Sequence, residues 1–312
     1  MKLDTVSKYM EEAGIPGRDC YDLPDSDKRF PDGAHYRIEM SGVEGPKVLE
    51  ALIDEKNKRN VPVHRLISLV GGGYLYDDEE IKYFAQMAAD EDMEVIAVPG
   101  PRNGRDKGRQ YTSSEGMRTG MQHRGSDELR NVIADIMRMY DLGMRGFMLV
   151  DRGLLWLVRK MQEQGNLPED MAFKMSVWTG VSAAGGAKLM EDLGASSFNP
   201  IADLPLPMLA SIRKVVDIPI DFYIWTFQSY GGTNRFYEAN DVARLYSPCY
   251  FKFEPETSST EGYAPWANID HQIDLMRKKI KWAKFVINFI KENNPEIKLS
   301  DQGPSDLYIP QP

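Results

Sequence analysis

The chain has 312 residues, is 42% hydrophobic and 27% charged, and carries a formal net charge of −9. That is enough apolar material for one large core, and the acidity argues against holding duplex nucleic acid or an anionic membrane through the bulk field. Two cysteines, Cys20 and Cys249, with no CxxC pair, exclude a disulfide framework and a structural zinc cluster. They also leave no iron–sulfur cluster expected on the chain's own thiolates.

The first segment, MKLDTVSKYMEEAGIPG, is charged throughout and lacks an apolar signal region, and no stretch approaches the ~18 apolar residues of a membrane span. The expectation is a cytoplasmic protein with no membrane partner. Residues 1–34 read as an N-terminal extension with one short helical pattern and an Asp- and Pro-rich loop.

From residue 35 short apolar runs alternate with helical patterns. The runs are 35–40, 64–70, 93–100, 145–151, 173–177, 196–201, 220–225 and 249–254. Most follow one another at about 25–30 residues, the length of a strand, a loop, a helix and a return. Between them, 43–60 has Pro46 in its first turn, and 77–91 opens with Asp77 and Glu80 at capping-box spacing. Segment 126–143 begins at a Ser126 cap and ends at Gly143, and 182–194 stops at Gly194. The last pattern, 269–292, repeats Ile269, Ile273, Met276, Ile280, Ala283, Ile287 and Ile290 as an apolar stripe. Eight such units over 35–298 predict an α/β fold, a parallel (β/α)₈ TIM-type barrel, followed by a tail at 299–312. The alternative is an open doubly wound sheet, but no strand is followed by GxGxxG or a Walker loop.

In such barrels the chemistry sits at the C-terminal strand ends and in the loops beyond. A strand buried on both faces is nearly all apolar, so its polar residues point into the lumen or toward its mouth. Glu39, Lys174, Asp221, Lys252 and Glu254 are the candidate catalytic set. Alternation puts Lys252 and Glu254 on one face, Phe251 and Phe253 on the other. A desolvated lysine acts as a base or forms a Schiff base, and a charged one stabilises an oxyanion or enolate. The competing reading is an interior ion-pair network that fills space, or a lysine that snorkels outward between helices.

Arg37, Arg102, Arg124 and Arg235 are candidates for holding substrate acid groups, and Asn199 and Tyr223 for orienting the substrate. The connection 101–125 is overlong and basic, which favours an anionic substrate. Gly231 and Gly232 precede Arg235 in the loop after strand seven, a frequent phosphate position in barrels. Metal support is thin: only His64 and His123 lie near a plausible mouth, neither has HxH or HExxH, and His64 precedes its strand. No GxSxG motif suggests a serine triad.

At AHYRIEMSGVEGPKVLEA, VPVHRLIS, VDRGLLWLV, FKMSVWTG and YFKFE the sequence resembles a bacterial branch of the collagenase-like peptidases, peptidase family U32, over about residues 34–255. The resemblance implies a barrel fold and a peptidase-type hydrolase as an alternative activity. The family signature pairs a glutamate with a segment holding two cysteines. That segment is absent here, so no catalytic residue is carried over. The expected function is a barrel enzyme acting on a small anionic or carbonyl-containing metabolite by lyase or isomerase chemistry. The alternatives are the hydrolase and a non-catalytic ligand- or partner-binding subunit. A homo-oligomer is a further expectation.

Overall fold

A computed structural model describes residues 3–101, 113, 122–264, 266 and 268–312. Helix α1 (Leu3–Glu12) precedes the barrel. The first half then runs β1 (Tyr36–Ser41), α2 (Pro46–Arg59), β2 (Arg65–Ser68), α3 (Asp78–Asp90), β3 (Glu94–Ala97), α4 (Gly125–Asp141), β4 (Gly146–Leu149) and α5 (Arg152–Glu163). The second half runs β5 (Ala172–Met175), α6 (Ala184–Asp192), β6 (Ser197–Phe198), α7 (Leu206–Val215), β7 (Ile220–Trp225), α8 (Ala239–Leu245) and β8 (Cys249–Phe253). A one-turn helix, α9 (Ser259–Gly262), and the long α10 (Ile269–Asn293) complete the series.

Each strand pairs in parallel with the next, and β8 pairs with β1, so the sheet closes into the expected (β/α)₈ barrel. Closure buries every strand on both faces and leaves no sheet edge, which is why the strands read as continuous buried runs. The outward residues, among them Ile38, Leu66, Phe147, Phe173, Phe198, Phe251 and Phe253, pack against Leu49, Phe84, Leu155, Ile212 and Ile280 of the helices. Each such side chain contributes about 1.5–3 kcal/mol by leaving water. At Gly146 the strands approach so closely that a Cβ would stand 2.5 Å from the Ile96 side chain and 2.6 Å from the Val95 carbonyl.

Local signals set several boundaries. Asp77 and Glu80 form the reciprocal capping box that opens α3. The start of α4 differs from expectation. Ser126 is not the cap; the helix begins at Gly125, and the Glu128 carboxylate turns back to accept from the Arg124 N–H. Several strands are shorter than their apolar runs, β6 most of all, because a run continues into the buried loop beyond the ladder.

Both termini cover the N-terminal end of the barrel. The extension lays Phe30 edge-on against Tyr250, and Ser26 donates to the Ser247 carbonyl just before β8. The tail pairs Leu299 with Tyr36, and Gln302 bonds both the N–H and the carbonyl of Val63. Among the described residues no helix is long and apolar enough to cross a membrane.

Candidate functional site

Register decides what the lumen contains. Glu39 lies beside Arg65 on one side and Lys252 on the other, Arg65 beside Glu94, and Lys174 beside Ser197. Period-two alternation points all of these inward at one level. The five candidate catalytic residues join into one unbroken chain of contacts. Asp221 touches Lys174, and Lys174 donates to Glu39 Oε2 at 2.5 Å. Glu39 Oε1 lies 3.0 Å from Lys252 Nζ, which lies 3.1 Å from Glu254 Oε1.

Arg65, which the sequence places on strand two without marking it as a site residue, is the hub of this chain. Its guanidinium donates to Glu39 at 2.5 Å, to Asp221, and to Ser197 Oγ at 3.0 Å, and it stacks 3.5 Å over the Tyr250 ring. The signal was its register with Glu39, and register is invisible in one sequence.

Burial and the opposite charges act against each other at Glu39, Asp221, Lys174 and Lys252. Burial alone would raise Glu39, but Arg65, Lys174 and Lys252 outweigh it and hold the carboxyl below its usual range. For Asp221 burial prevails and its affinity for a proton rises. Lys174 is pushed down to about 8 by burial and by Arg65, against the pull of Asp221 and Glu39. Lys252 goes the other way. Burial would lower it, but Glu254 and Glu39 raise it well above an ordinary lysine, so it stays an ammonium at neutral pH.

Above this ionic level the lumen divides. On the β2–β4 side it is apolar: Ile67, Ile96, Val98 and Met148 pack with Phe227 and Tyr263 from the loops after β7 and β8. On the β6–β8–β1 side it is polar. Asn199 Nδ2 donates to Tyr223 Oη at 2.9 Å, Lys252 Nζ lies 5.3 Å from the Tyr223 ring centre, and Tyr263 donates to Glu254. Burial, reinforced by Glu254, raises both phenols, so they remain proton donors. Two buried atoms at this level, Asn199 Oδ1 and Ser41 Oγ, have no hydrogen-bond partner among the described residues. Lys279 of α10 is a further group the sequence reading passed over, hidden in an apolar helical stripe. It donates to the Ser41 carbonyl at 2.8 Å, and burial pushes its pKa down to about 8.

The three described candidates among the anion-holding arginines, Arg37, Arg124 and Arg235, are not brought together. Arg37 lies at the N-terminal end, where Asp306 of the tail takes its guanidinium through bonds of 2.9 and 2.6 Å, with Ser300 at 2.9 Å. Its side chain points into the lumen as expected, but two residues below Glu39, away from the mouth. Arg235 pairs with Glu238 at 2.5 Å, donates to the carbonyls of Ala202 and Leu204, and stacks over Phe222 on the outer face of the barrel. Arg124 is exposed at the start of α4. Arg102 lies outside the described residues, as does most of the 101–125 connection.

His64 is buried below the strand, its Nδ1 accepting from Ile38 N and its Nε2 facing the Ser300 carbonyl at 3.1 Å. Burial holds the Cys249 thiol protonated. Among the described residues no three His, Cys, Asp or Glu side chains are grouped to hold a metal. On the N-terminal side a cavity of about 210 Å³ reaches Lys174, Arg65 and Glu94, roofed by Asp306 and Tyr308 of the tail.

No family model and no curated protein matches the chain. Solved structures similar to it include the YdjI aldolase of Escherichia coli, at 15% identity and TM-score 0.48 over 85% of this chain and 94% of that one. A U32 peptidase is similar at 14% identity and TM-score 0.43 over 75% of this chain and 97% of that one. A Coccidioides immitis protein described as a fructose-1,6-biphosphate aldolase is similar at 8% identity and TM-score 0.50 over 84% and 93%. At such identities the likeness is one of fold, and it is the fold that the closed eight-stranded parallel sheet displays.

Proposed function

We propose that the chain is a barrel enzyme that moves a proton next to a carbonyl in a small anionic or carbonyl-containing metabolite, bound at the C-terminal end of β6, β7, β8 and β1. The observation that carries this reading is the pair of unpartnered buried atoms, Asn199 Oδ1 and Ser41 Oγ, on the same side of the lumen as Lys252 and Glu254. An unmet buried polar atom costs about 1–3 kcal/mol, a cost that a ligand's hydrogen bonds would remove. Lys252, held protonated, would stabilise the oxyanion of an enolate, and the phenols of Tyr223 and Tyr263 would donate to it or to its neighbours. Glu254 would take the proton from carbon and return it.

The deeper chain has a supporting part. Lys174 contacts two carboxylates and is wholly buried, which favours a positioning role over Schiff-base formation. Glu39 ties it to Lys252. The apolar wall of Ile67, Ile96 and Met148 suits a short hydrocarbon portion of the substrate.

The test is carbon–hydrogen exchange in heavy water, followed by NMR over a panel of keto acids, hydroxy acids, aldehydes, sugar phosphates and short peptides. Exchange into one compound by the wild type, lost in Glu254→Gln and Lys252→Met with folding retained, is the expected result. Peptide cleavage without exchange would favour the hydrolase that the sequence resemblance implies. Binding without either reaction would leave a ligand-binding subunit.

A further inference from the structure

Helix α1 is mounted with its apolar side outward. Leu3, Val6, Tyr9 and Met10 share one arc of the helix, and all four are exposed, Leu3 and Tyr9 at 62%. The side that faces the molecule is small and polar. Thr5 and Ser7 are its half-buried residues, and Ser7 donates to the Gly17 carbonyl at 3.0 Å. No residue of α1 is buried. An amphipathic helix normally turns its apolar stripe to the core, so this orientation calls for a partner outside the chain.

A second exposed apolar face lies on α10. Phe285 and Phe289 stack in parallel with ring centres 6.2 Å apart, and Tyr237, 85% exposed, meets Phe289 edge-on. Lys281 and Lys278, the latter paired with Asp274 at 2.6 Å, continue that stripe toward the helix start, and Arg277, Lys284 and Lys291 form a basic ridge along its flank at spacings of seven. The α1 region has the opposite sign. The helix carries Asp4, Glu11 and Glu12 against Lys8, and the loop behind it carries Asp19 and Asp22 against Arg18. The lengths agree as well: ten residues of α1 span about 15 Å, and Lys278 to Phe289 about 16 Å. The two faces occupy neighbouring sectors, since the α1 loop bonds Ser211 of α7, α7 packs on α8, and α8 on α10.

We propose that the chain forms a two-fold dimer in which α1 of each copy lays its apolar side on the Tyr237–Phe285–Phe289 stripe of the other. Two-fold symmetry makes the contact twice, and the acidic helix meets a basic ridge both times. The acidic face of α1 disfavours the other common occupant, an anionic lipid surface.

Sedimentation velocity on the full chain from about 1 to about 100 µM, in low and high salt, tests this. The expected result is a reversible dimer that Tyr9→Glu and Phe285→Glu each weaken about ten-fold or more. Lys281→Glu should weaken it less, and combination with Glu12→Lys should restore it. Phe285 and Tyr9 are at least half exposed, so circular dichroism should show both variants folded. If Phe285→Glu fails to fold, Lys281→Glu reads the same stripe. A monomer at every concentration overturns the proposal, and so does a dimer indifferent to both Tyr9→Glu and Lys281→Glu. Flotation with phosphatidylserine vesicles that depends on Tyr9 would also overturn it, by giving α1 a lipid occupant.

Discussion

Lys174 stands between Glu39 and Asp221 with no exposed surface, and removing it leaves two carboxylates to be balanced by Arg65 and Lys252 alone. Breaking a buried pair costs about 3–5 kcal/mol, so Lys174→Met should lower the unfolding free energy by that order in urea titrations. Glu254→Gln should lower it less, because the amide still accepts from Tyr263, while abolishing exchange. His64 gives a pH signature. Burial, with Arg37 adding to it, lowers its pKa from 6.5 to about 4. Between those values the unfolded chain binds the proton more readily, so this contribution is complete above pH 6.5 and is lost as pH falls toward 4. At about 1.36 kcal/mol per unit the loss reaches about 3 kcal/mol. Carboxylates titrate in the same window, so the measurement is the difference between wild type and His64→Gln across pH 7 to about 4.5. A difference that does not change with pH would remove His64 as the cause. At this scale the sequence marked the polar intruders in the strands, because an ammonium group in an apolar run is conspicuous. It did not mark Arg65 as a site residue, whose role exists only beside Glu39 and Asp221.

Among the elements, the helices were the most legible, because caps and periodicity are local. Asp77 caps α3 on an exposed surface, and Asp77→Ala should cost about 1 kcal/mol, read as a shift of the urea midpoint at unchanged slope. No change would mean that the capping box contributes nothing in this context. The first residue of α4 differs because the helix starts one residue before Ser126, at Gly125 after Arg124, where the Glu128 carboxylate turns back to accept from the Arg124 N–H. Strand ends were harder. An apolar run shows where the chain is buried, but the hydrogen-bond ladder stops where the neighbouring strand stops, and that depends on stagger around the barrel. The eight runs therefore indicated eight strands without indicating their pairing limits.

In the whole molecule the N-terminal barrel end is braced by the tail. Asp306 holds the buried Arg37 guanidinium through two bonds, so Asp306→Ala should cost about 2–3 kcal/mol, and deletion of 306–312 at least as much. Unaltered stability on deletion would show that Ser300 and Asp32 suffice for Arg37. The tail has no periodicity in the sequence, and the contacts of Leu299, Gln302 and Asp306 lay it over the barrel end. By itself the sequence determined the fold class, the order of the elements and the presence of charged groups inside the barrel, because each is written in periods of two or 3.6 residues and in residue type. The tertiary structure decided which charges meet, which arginines are taken by the tail or by loop carbonyls, and which apolar faces stay open. Those outcomes depend on register and closure between residues that lie tens to hundreds of positions apart, and no local pattern encodes them.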